Sequence, residues 1–281
     1  MKKFQLDQHF KSPHGHTRFG VVGHGPAVLL CHGTPTSSLI WREVIEHLRD
    51  RFTLYFFDLP GYGIADKFDG QDVRLRAFAQ TVAALVDYLE LDSPHLVGHD
   101  FGAAGVLGAH LVEAVPARSI VIADGVVLSP WGTVFSRHVS EHEAVFAAVP
   151  EYVHEAVIRA HLKTAVSRAY TEGLLEQLTA PWLGEEGQKA YYRQVGQYDY
   201  EYTTQLEALY PSIQVPLTVL WGEDDQWVDI SVGQRFSTMV PGASLVTLPD
   251  AGHFSMLDTP MAFARSLGAA LDRAEASAFS R

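Results

Sequence analysis

Short apolar runs alternate along the chain with longer segments in which apolar residues recur every three or four positions. This alternation is typical of a largely parallel β-sheet flanked by helices. Most of the short runs end in a Gly, Asp or His, where a loop begins. The pattern predicts strands over Arg18–Val22, Ala27–Cys31, Thr53–Phe57, His95–Gly98, Ser119–Ala123, Leu217–Trp221 and Ser244–Leu248. It predicts helices over Leu39–Asp50, Leu75–Leu91, Ala103–Ala114 and Met261–Glu275.

The alternation stops between Pro130 and Pro216, where the pattern is helical throughout and rich in Tyr, His and Trp. A crossover between parallel strands needs only about a dozen residues, and this interval is several times longer. We therefore predict a helical cap over residues 130–213, inserted into an α/β core formed by residues 1–129 and 214–281.

The composition limits the partners of the protein. The chain has 281 residues, 47% of them hydrophobic, and a net charge of −12. Such an acidic balance repels phosphate backbones and anionic lipid surfaces, so we expect no nucleic acid or membrane partner. The opening MKKFQLDQHFKSPHG has two lysines but no apolar run behind them, so it does not resemble a secretory signal. The sequence thus predicts a cytoplasmic protein.

The segment Gly98-His99-Asp100-Phe101-Gly102 has the small residues of a sharp turn between a strand and a helix. The exposed central residue is an aspartate, whose carboxylate is ionised at neutral pH and needs no base to attack. Attack on an ester or amide carbonyl would give an anhydride that expels the carboxylate again. Displacement at saturated carbon instead gives an ordinary alkyl ester on Asp100, which favours that chemistry over esterase, lipase or peptidase activity.

Five motifs in order resemble the α/β-hydrolase superfamily over nearly the whole chain, in its branch with an Asp nucleophile. The motifs are His32-Gly33-Thr34-Pro35, Asp58-Leu59-Pro60-Gly61-Tyr62-Gly63, the turn at Asp100, Trp221-Gly222-Glu223-Asp224-Asp225 and Gly252-His253-Phe254. The resemblance implies an α/β-hydrolase fold, with a mostly parallel central sheet flanked by helices, and a hydrolase that needs no cofactor.

The same resemblance implies the catalytic roles. Asp100 is the nucleophile, and His253 is the base that activates water to hydrolyse the ester. A carboxylate should orient the imidazole; we favour Asp225 and hold Asp124 in reserve. The backbone N–H groups of Thr34 and Phe101 are expected to form the oxyanion hole.

Two kinds of leaving group fit an Asp nucleophile. Epoxide hydrolases donate a proton to the opening ring from cap tyrosines, and Ala190-Tyr191-Tyr192-Arg193 resembles a segment that carries one of them. Epoxide hydrolysis to a diol is therefore the preferred reaction, with Tyr192 as the first donor and Tyr152 as the second.

Hydrolysis of a carbon–halogen bond is the alternative. Haloalkane dehalogenases usually have a Trp after the nucleophile and often an Asn in the position of Thr34, and the haloacid branch typically has an Arg after the nucleophile. This chain has Phe101 and Thr34 instead. A cofactor-independent lyase or oxygenase, or a binding protein without catalysis, stays open on the same fold.

No metal site is expected, because we predict that the cap histidines have no carboxylate or cysteine partner at the spacing of a zinc site. These histidines are His138, His142, His154 and His161. The aromatic cap predicts a small apolar organic substrate, with water as the second reactant. The sequence leaves open the substrate's identity, the stereochemistry and the oligomeric state.

Overall fold

A computed structural model describes residues 4–278. Its centre is one eight-stranded sheet in the order β1-β2-β4-β3-β5-β6-β7-β8. Strands β1, β2 and β4 pair antiparallel, and the pairs from β4 to β8 are parallel. The strands are β1 Gln8–Ser12, β2 Gly15–Gly23, β3 Ala27–Cys31, β4 Thr53–Phe57, β5 His95–His99, β6 Ser119–Ala123, β7 Leu217–Gly222 and β8 Ser244–Leu248.

The seven predicted strands are present, and the predicted α/β fold class is confirmed. Strand β1 was not predicted, because its segment QHFKS has a single large apolar residue, Phe10. Its pairing with β2 and the burial of Phe10 hold it in the sheet. The inner parallel strands β3, β5, β6 and β7 are almost fully buried, as expected where helices cover both sides of a sheet, whereas the edge strand β8 is partly exposed.

Helices connect the parallel strands and cover the sheet; α2 packs against α3, and α1 packs against α12. The helices of the core are α1 Arg42–Leu48, α2 Leu75–Tyr88, α3 Phe101–Leu111, α10 Ile230–Met239, α11 Ser255–Asp258 and α12 Pro260–Ala278. Among residues 4–278, no helix combines the length and the apolar character needed to cross a membrane.

The chain between β6 and β7 contains helices and no strand in the described structure. These helices are α4 Val134–Glu141, α5 Glu143–Ala147, α6 Glu151–Lys163, α7 Leu174–Thr179, α8 Gly184–Gly196 and α9 Tyr200–Leu209. We call residues 130–213 the helical insertion. The predicted core bounds also include residues 1–3 and 279–281, which lie outside the described residues.

Candidate active site

Asp100 is the single residue between β5 and α3. Its backbone has φ 50° and ψ −117°, a conformation that costs free energy in a residue with a β-carbon. Glycines make this turn possible. A β-carbon at Gly98 would overlap the carbonyl oxygen of Gly102, and one at Gly102 would overlap that of Cys31. The Asp100 carboxylate makes no capping hydrogen bond to α3, so it is available for chemistry.

One oxygen of Asp100 is held by the loop that follows β3. The backbone N–H of Thr34 donates to Asp100 Oδ1 over 2.6 Å. A β-carbon at Gly33 would lie 2.5 Å from the same oxygen, so glycine is needed for this approach. Phe101 is the first residue of α3, where backbone N–H groups have no partner within the helix. The two predicted oxyanion residues therefore flank Asp100, and the hydrogen bond in the resting structure comes from Thr34.

His253 lies between two carboxylates and is fully buried. Its Nδ1 is 2.9 Å from Asp225 Oδ2, and its Nε2 is 3.4 Å from Asp100 Oδ2. The other oxygen of Asp225 accepts the backbone N–H groups of Trp227 at 2.8 Å and Val228 at 3.0 Å. These bonds fix the carboxylate, which in turn holds the imidazole with Nε2 toward Asp100.

The charge of His253 depends on its two neighbours. Burial by itself lowers the pKa of this imidazole, but the carboxylates of Asp225 and Asp100 outweigh burial and raise the pKa to about 10. His253 is therefore protonated at neutral pH while both carboxylates are charged. Removal of the charge on Asp100 would lower the pKa of His253 and allow it to act as a base.

Asp124, the reserve acid, forms its hydrogen bonds with residues other than His253. Its Oδ1 accepts the backbone N–H of Gly222 at 2.7 Å, and its Oδ2 shares a short hydrogen bond with the hydroxyl of Ser255. Burial, followed by the nearby charge of Asp225, raises its pKa well above the usual range. Asp124 thus ties β6 to β7 and to α11, and Asp225 contacts the imidazole of His253.

His32 and His99 hold the loops around the site. His32 Nε2 accepts the backbone N–H of Leu59 at 2.9 Å, so its Nδ1–H donates to the carbonyl of Gly33 at 3.0 Å. His99 Nε2 lies 2.9 Å from the carbonyl oxygen of His253, and burial lowers the pKa of His99 to about 3. Both rings are buried structural partners of the loops that carry Thr34 and His253.

A cavity of about 30 Å³ lies above the carboxylate, and we call it the Asp100 cavity. Core residues Thr34, Asp100 and Phe101 line it on one side, and residues of the helical insertion line the other. No role was predicted for the other lining residues, among them His161, Gln194, Tyr198 and Trp227. The Tyr- and Trp-rich composition of the insertion indicated an aromatic pocket. It did not indicate which of the aromatic rings line the cavity at Asp100.

Gln194 joins the two sides of the cavity. Its Oε1 accepts the Tyr62 hydroxyl at 2.9 Å and a short hydrogen bond from the Thr34 hydroxyl. With this oxygen occupied, the amide N–H₂ is the part of the side chain left to donate. The hydroxyl of Thr34 thus orients the side-chain amide of Gln194, which lines the cavity.

Neither tyrosine predicted as the leaving-group donor lines the cavity that the described residues form. Tyr192 is buried within the insertion, where its hydroxyl donates to His154 Nδ1 at 3.0 Å, because His154 Nε2 already donates to the carbonyl of Trp182 at 2.8 Å. Tyr152 is 76% exposed on α6. The tyrosine in the lining is Tyr198.

The expectation that the insertion histidines lack a carboxylate at metal-site spacing is wrong. Glu141 lies between His138 and His142 along the chain, and the ligand atoms of these three exposed side chains lie within 4.8 Å of one another. None of the three lines the Asp100 cavity. This cluster therefore has no part in the site around Asp100.

Comparisons with known proteins agree with the fold described above. An α/β hydrolase fold protein from Burkholderia ambifaria is 34% identical, with a TM-score of 0.91 over 95% of this chain and 98% of that one. Haloalkane dehalogenase 2 of Mycobacterium tuberculosis is 25% identical over 270 residues, 89% of this chain and 90% of the dehalogenase. A thermophilic esterase from Thermogutta terrifontis has the same fold, with 21% identity and a TM-score of 0.74 over 95% of this chain and 99% of that one. Residues 28–266 match the Alpha/beta hydrolase family, and the chain belongs to that family.

Proposed function

We propose that this α/β hydrolase cleaves a bond between saturated carbon and an electronegative leaving group through a covalent ester on Asp100. One observation carries the proposal: Asp100 Oδ1 is bound by the backbone N–H of Thr34 at 2.6 Å, while Oδ2 lies 3.4 Å from His253 Nε2. The two oxygens thus have different environments, and the one without a backbone donor is the nucleophile.

In the first half-reaction, Oδ2 forms a bond to carbon, and the bond to the leaving group breaks with its electron pair. Oδ1 becomes the carbonyl oxygen of the ester, in contact with the Thr34 N–H. The negative charge of Asp100 is lost in this step. Because that charge helps to raise the pKa of His253, the imidazole now releases its proton more readily.

In the second half-reaction, neutral His253 takes a proton from water, and the water oxygen attacks Cγ of Asp100. The oxyanion forms at Oδ1, where the Thr34 N–H already donates, and Phe101 N–H is the second donor that we propose. Collapse breaks the bond between Cγ and Oδ2, and the His253 imidazolium returns its proton to Oδ2, which departs in the product alcohol. The carboxylic acid formed on Asp100 then gives its proton to His253, which restores the carboxylate and the imidazolium. The water oxygen stays in the regenerated carboxylate, and Asp225 stabilises the imidazolium throughout.

An epoxide is the leaving-group class that we place first. The alkoxide of an opening epoxide needs a proton, and Tyr198 lines the Asp100 cavity. Burial raises the pKa of Tyr198, so the phenol stays protonated until a strong base such as an alkoxide forms. Tyr198 thereby takes the role that the sequence suggested for Tyr192 and Tyr152. The helical insertion acts as the cap that closes over a small, apolar substrate.

A carbon–halogen bond is the second candidate. It is favoured by the similarity to haloalkane dehalogenase 2 and by the Gln194 amide, a neutral donor of the kind that a departing halide needs. Phe101 supplies no side-chain donor, which is why this class comes second.

The test is a variant that stops after the first half-reaction. His253→Gln should accumulate an adduct on the peptide that contains Asp100, seen by mass spectrometry, with epoxides and haloalkanes that the wild-type enzyme turns over. The adduct mass distinguishes the classes, because an opened epoxide adds its full mass and a haloalkane adds only its alkyl group. Asp100→Asn is the control without a nucleophile. Turnover by the wild-type enzyme with no adduct in His253→Gln would contradict the proposal.

A further inference from the structure

The Asp100 cavity has room for the reacting end of a substrate. Its volume of about 30 Å³ is a few times the volume of about 10–15 Å³ that one water molecule needs in a protein cavity. The reacting carbon and its leaving group would fill this space. The rest of the substrate must therefore extend beyond it.

A second cavity adjoins the first, and we call it the outer cleft. Its volume is about 420 Å³, within the range of about 300–1,000 Å³ typical of small-molecule sites. Three residues line both cavities: Thr133, His161 and Trp227. The remaining lining of the outer cleft is uncharged and mostly apolar, and consists of Val134, Phe135, Val157, Ala160, Thr164 and Gln226. Burial of an ionised group there would lack a compensating charge, so the outer cleft suits a neutral molecule.

Two stacked rings form the boundary between the cavities. The ring of His161 stacks on Trp227 with centroids 4.4 Å apart, and Trp227 stacks on His253 at 4.9 Å. Trp227 Nε1 donates to the hydroxyl of Thr164 at 2.9 Å, so its polar atom is already occupied. The polar atom left at this boundary belongs to His161.

The imidazole of His161 has one nitrogen in use and one without a partner. Its Nδ1 is 2.8 Å from the Tyr191 hydroxyl, and its Nε2 is buried with no hydrogen-bond partner in the described part of the chain. Burial, with the charge of His253, lowers the pKa of His161 to about 4, so the ring is neutral at neutral pH. If the Tyr191 hydroxyl accepted from Nδ1–H, both its own O–H and the bare Nε2 would lack a hydrogen-bond partner among residues 4–278. Donation from the hydroxyl to Nδ1 leaves only one unsatisfied group, the N–H at Nε2, and is therefore the favoured arrangement. A buried N–H without an acceptor is unfavourable, and a ligand oxygen would satisfy it.

We propose that the outer cleft binds the neutral, apolar body of the substrate and that His161 Nε2–H donates a hydrogen bond to an oxygen of that body. This inference rests on the proposed function, because it assumes that the reacting carbon lies above Asp100. It names the substrate class: an uncharged molecule with an apolar ring or chain and an oxygen acceptor near the reacting carbon.

Binding of three probes to the intact enzyme tests this site without turnover. Benzyl alcohol and ethylbenzene have nearly the same shape and differ by one hydroxyl, and benzoate adds a charge. His161→Phe keeps a ring to stack on Trp227 but removes the N–H. We expect it to weaken benzyl alcohol binding about fivefold, the typical net value of one hydrogen bond, and to leave ethylbenzene binding unchanged. Benzoate should bind at least about tenfold more weakly than benzyl alcohol.

A pair of matched substitutions tests the location. Val157→Trp fills the outer cleft and should weaken both neutral probes, whereas Val145→Trp adds the same side chain at a position that is 68% exposed and should weaken neither. If His161→Phe does not fold, Tyr191→Phe removes the hydroxyl that fixes the proton on Nε2, and it should weaken benzyl alcohol binding alone.

Several results would overturn the inference. In His161→Phe, these results are equally weakened binding of both neutral probes or unchanged binding of benzyl alcohol. The others are benzoate binding as tight as that of benzyl alcohol, and no effect of Val157→Trp on the binding of the neutral probes. The outcome is separable from that of the proposed function. If the probes bind as expected but His253→Gln forms no adduct, the ester mechanism is refuted and the outer cleft remains a ligand site. If the adduct forms but probe binding is unaffected by His161→Phe and Val157→Trp, the ester mechanism stands and the proposed binding site is refuted.

Discussion

The charge state of His253 is the property of the site that a single substitution changes most directly. Asp225→Asn removes one of the two carboxylates beside the imidazole and nearly preserves the shape, since the amide oxygen can still accept the N–H groups of Trp227 and Val228. Two unit charges about 4 Å apart interact by about 4 kcal/mol at an effective dielectric constant of about 20. At about 1.4 kcal/mol for each pKa unit, the substitution should lower the pKa of His253 by about three units. The imidazole of His253 would then titrate at about pH 7 rather than about pH 10.

The raised pKa of His253 makes the free energy of unfolding depend on pH. The folded pKa of His253 lies above the usual value of 6.5, so the stabilisation from its charge is fully present below pH 6.5 and is lost as the pH rises toward about 10. In Asp225→Asn this loss should already be complete near neutral pH. The unfolding free energy of the wild type should therefore fall between pH 7 and pH 10 more steeply than that of the variant.

The assay is NMR titration of ¹⁵N-labelled histidine, together with urea unfolding at pH 7 and pH 10. Asp224→Asn is the matched control, because it removes the same charge from the adjacent, exposed residue. A His253 resonance that titrates at the same pH in Asp225→Asn as in Asp224→Asn would refute the electrostatic argument.

Three other substitutions test separate parts of the site. Asp124→Asn should lower turnover less than about tenfold, whereas Asp225→Asn should lower it on the order of 10²–10⁴-fold. Steady-state rates of the two variants test this. A larger loss in Asp124→Asn would make Asp124 the acid that orients His253. Tyr198→Phe should slow epoxide opening on the order of 10²-fold in single-turnover kinetics, while Tyr152→Phe, at an exposed position, should leave the rate unchanged. Equal rates in both would remove Tyr198 as the donor. Gly98→Ala should destabilise the fold by about 1–3 kcal/mol in denaturant unfolding, because its β-carbon has no room in the turn; wild-type stability would contradict that packing.

The part of the site that lies on the core was predictable because it depends on local sequence. Glycines around Asp100 specify a tight turn, and apolar runs that end shortly before Asp225 and His253 place these two residues on loops after parallel strands. The carboxyl ends of parallel strands meet at one edge of a sheet, so the order of the motifs sufficed to bring the three side chains together.

The contribution of the helical insertion was not predictable in the same way. Tyr192 and Tyr198 are six positions apart in the sequence. Because α6 packs against α8, Tyr192 forms a hydrogen bond with His154, whereas Tyr198, just after α8, lines the Asp100 cavity. Gln194 is oriented by the hydroxyl of Thr34, which is 160 positions away in the chain. Such pairings depend on how helices pack, and periodicity within one helix carries no information about them.

The central claim is that water attacks Cγ of the ester on Asp100 and thereby regenerates the carboxylate of Asp100. One turnover in ¹⁸O-labelled water, with enzyme in excess over substrate, followed by peptide mass spectrometry, measures this directly. The account predicts one ¹⁸O atom in the peptide that contains Asp100 and an unlabelled oxygen in the first product. Label in the product with none in that peptide would mean that water attacks the substrate itself, and Asp100 would not be the nucleophile.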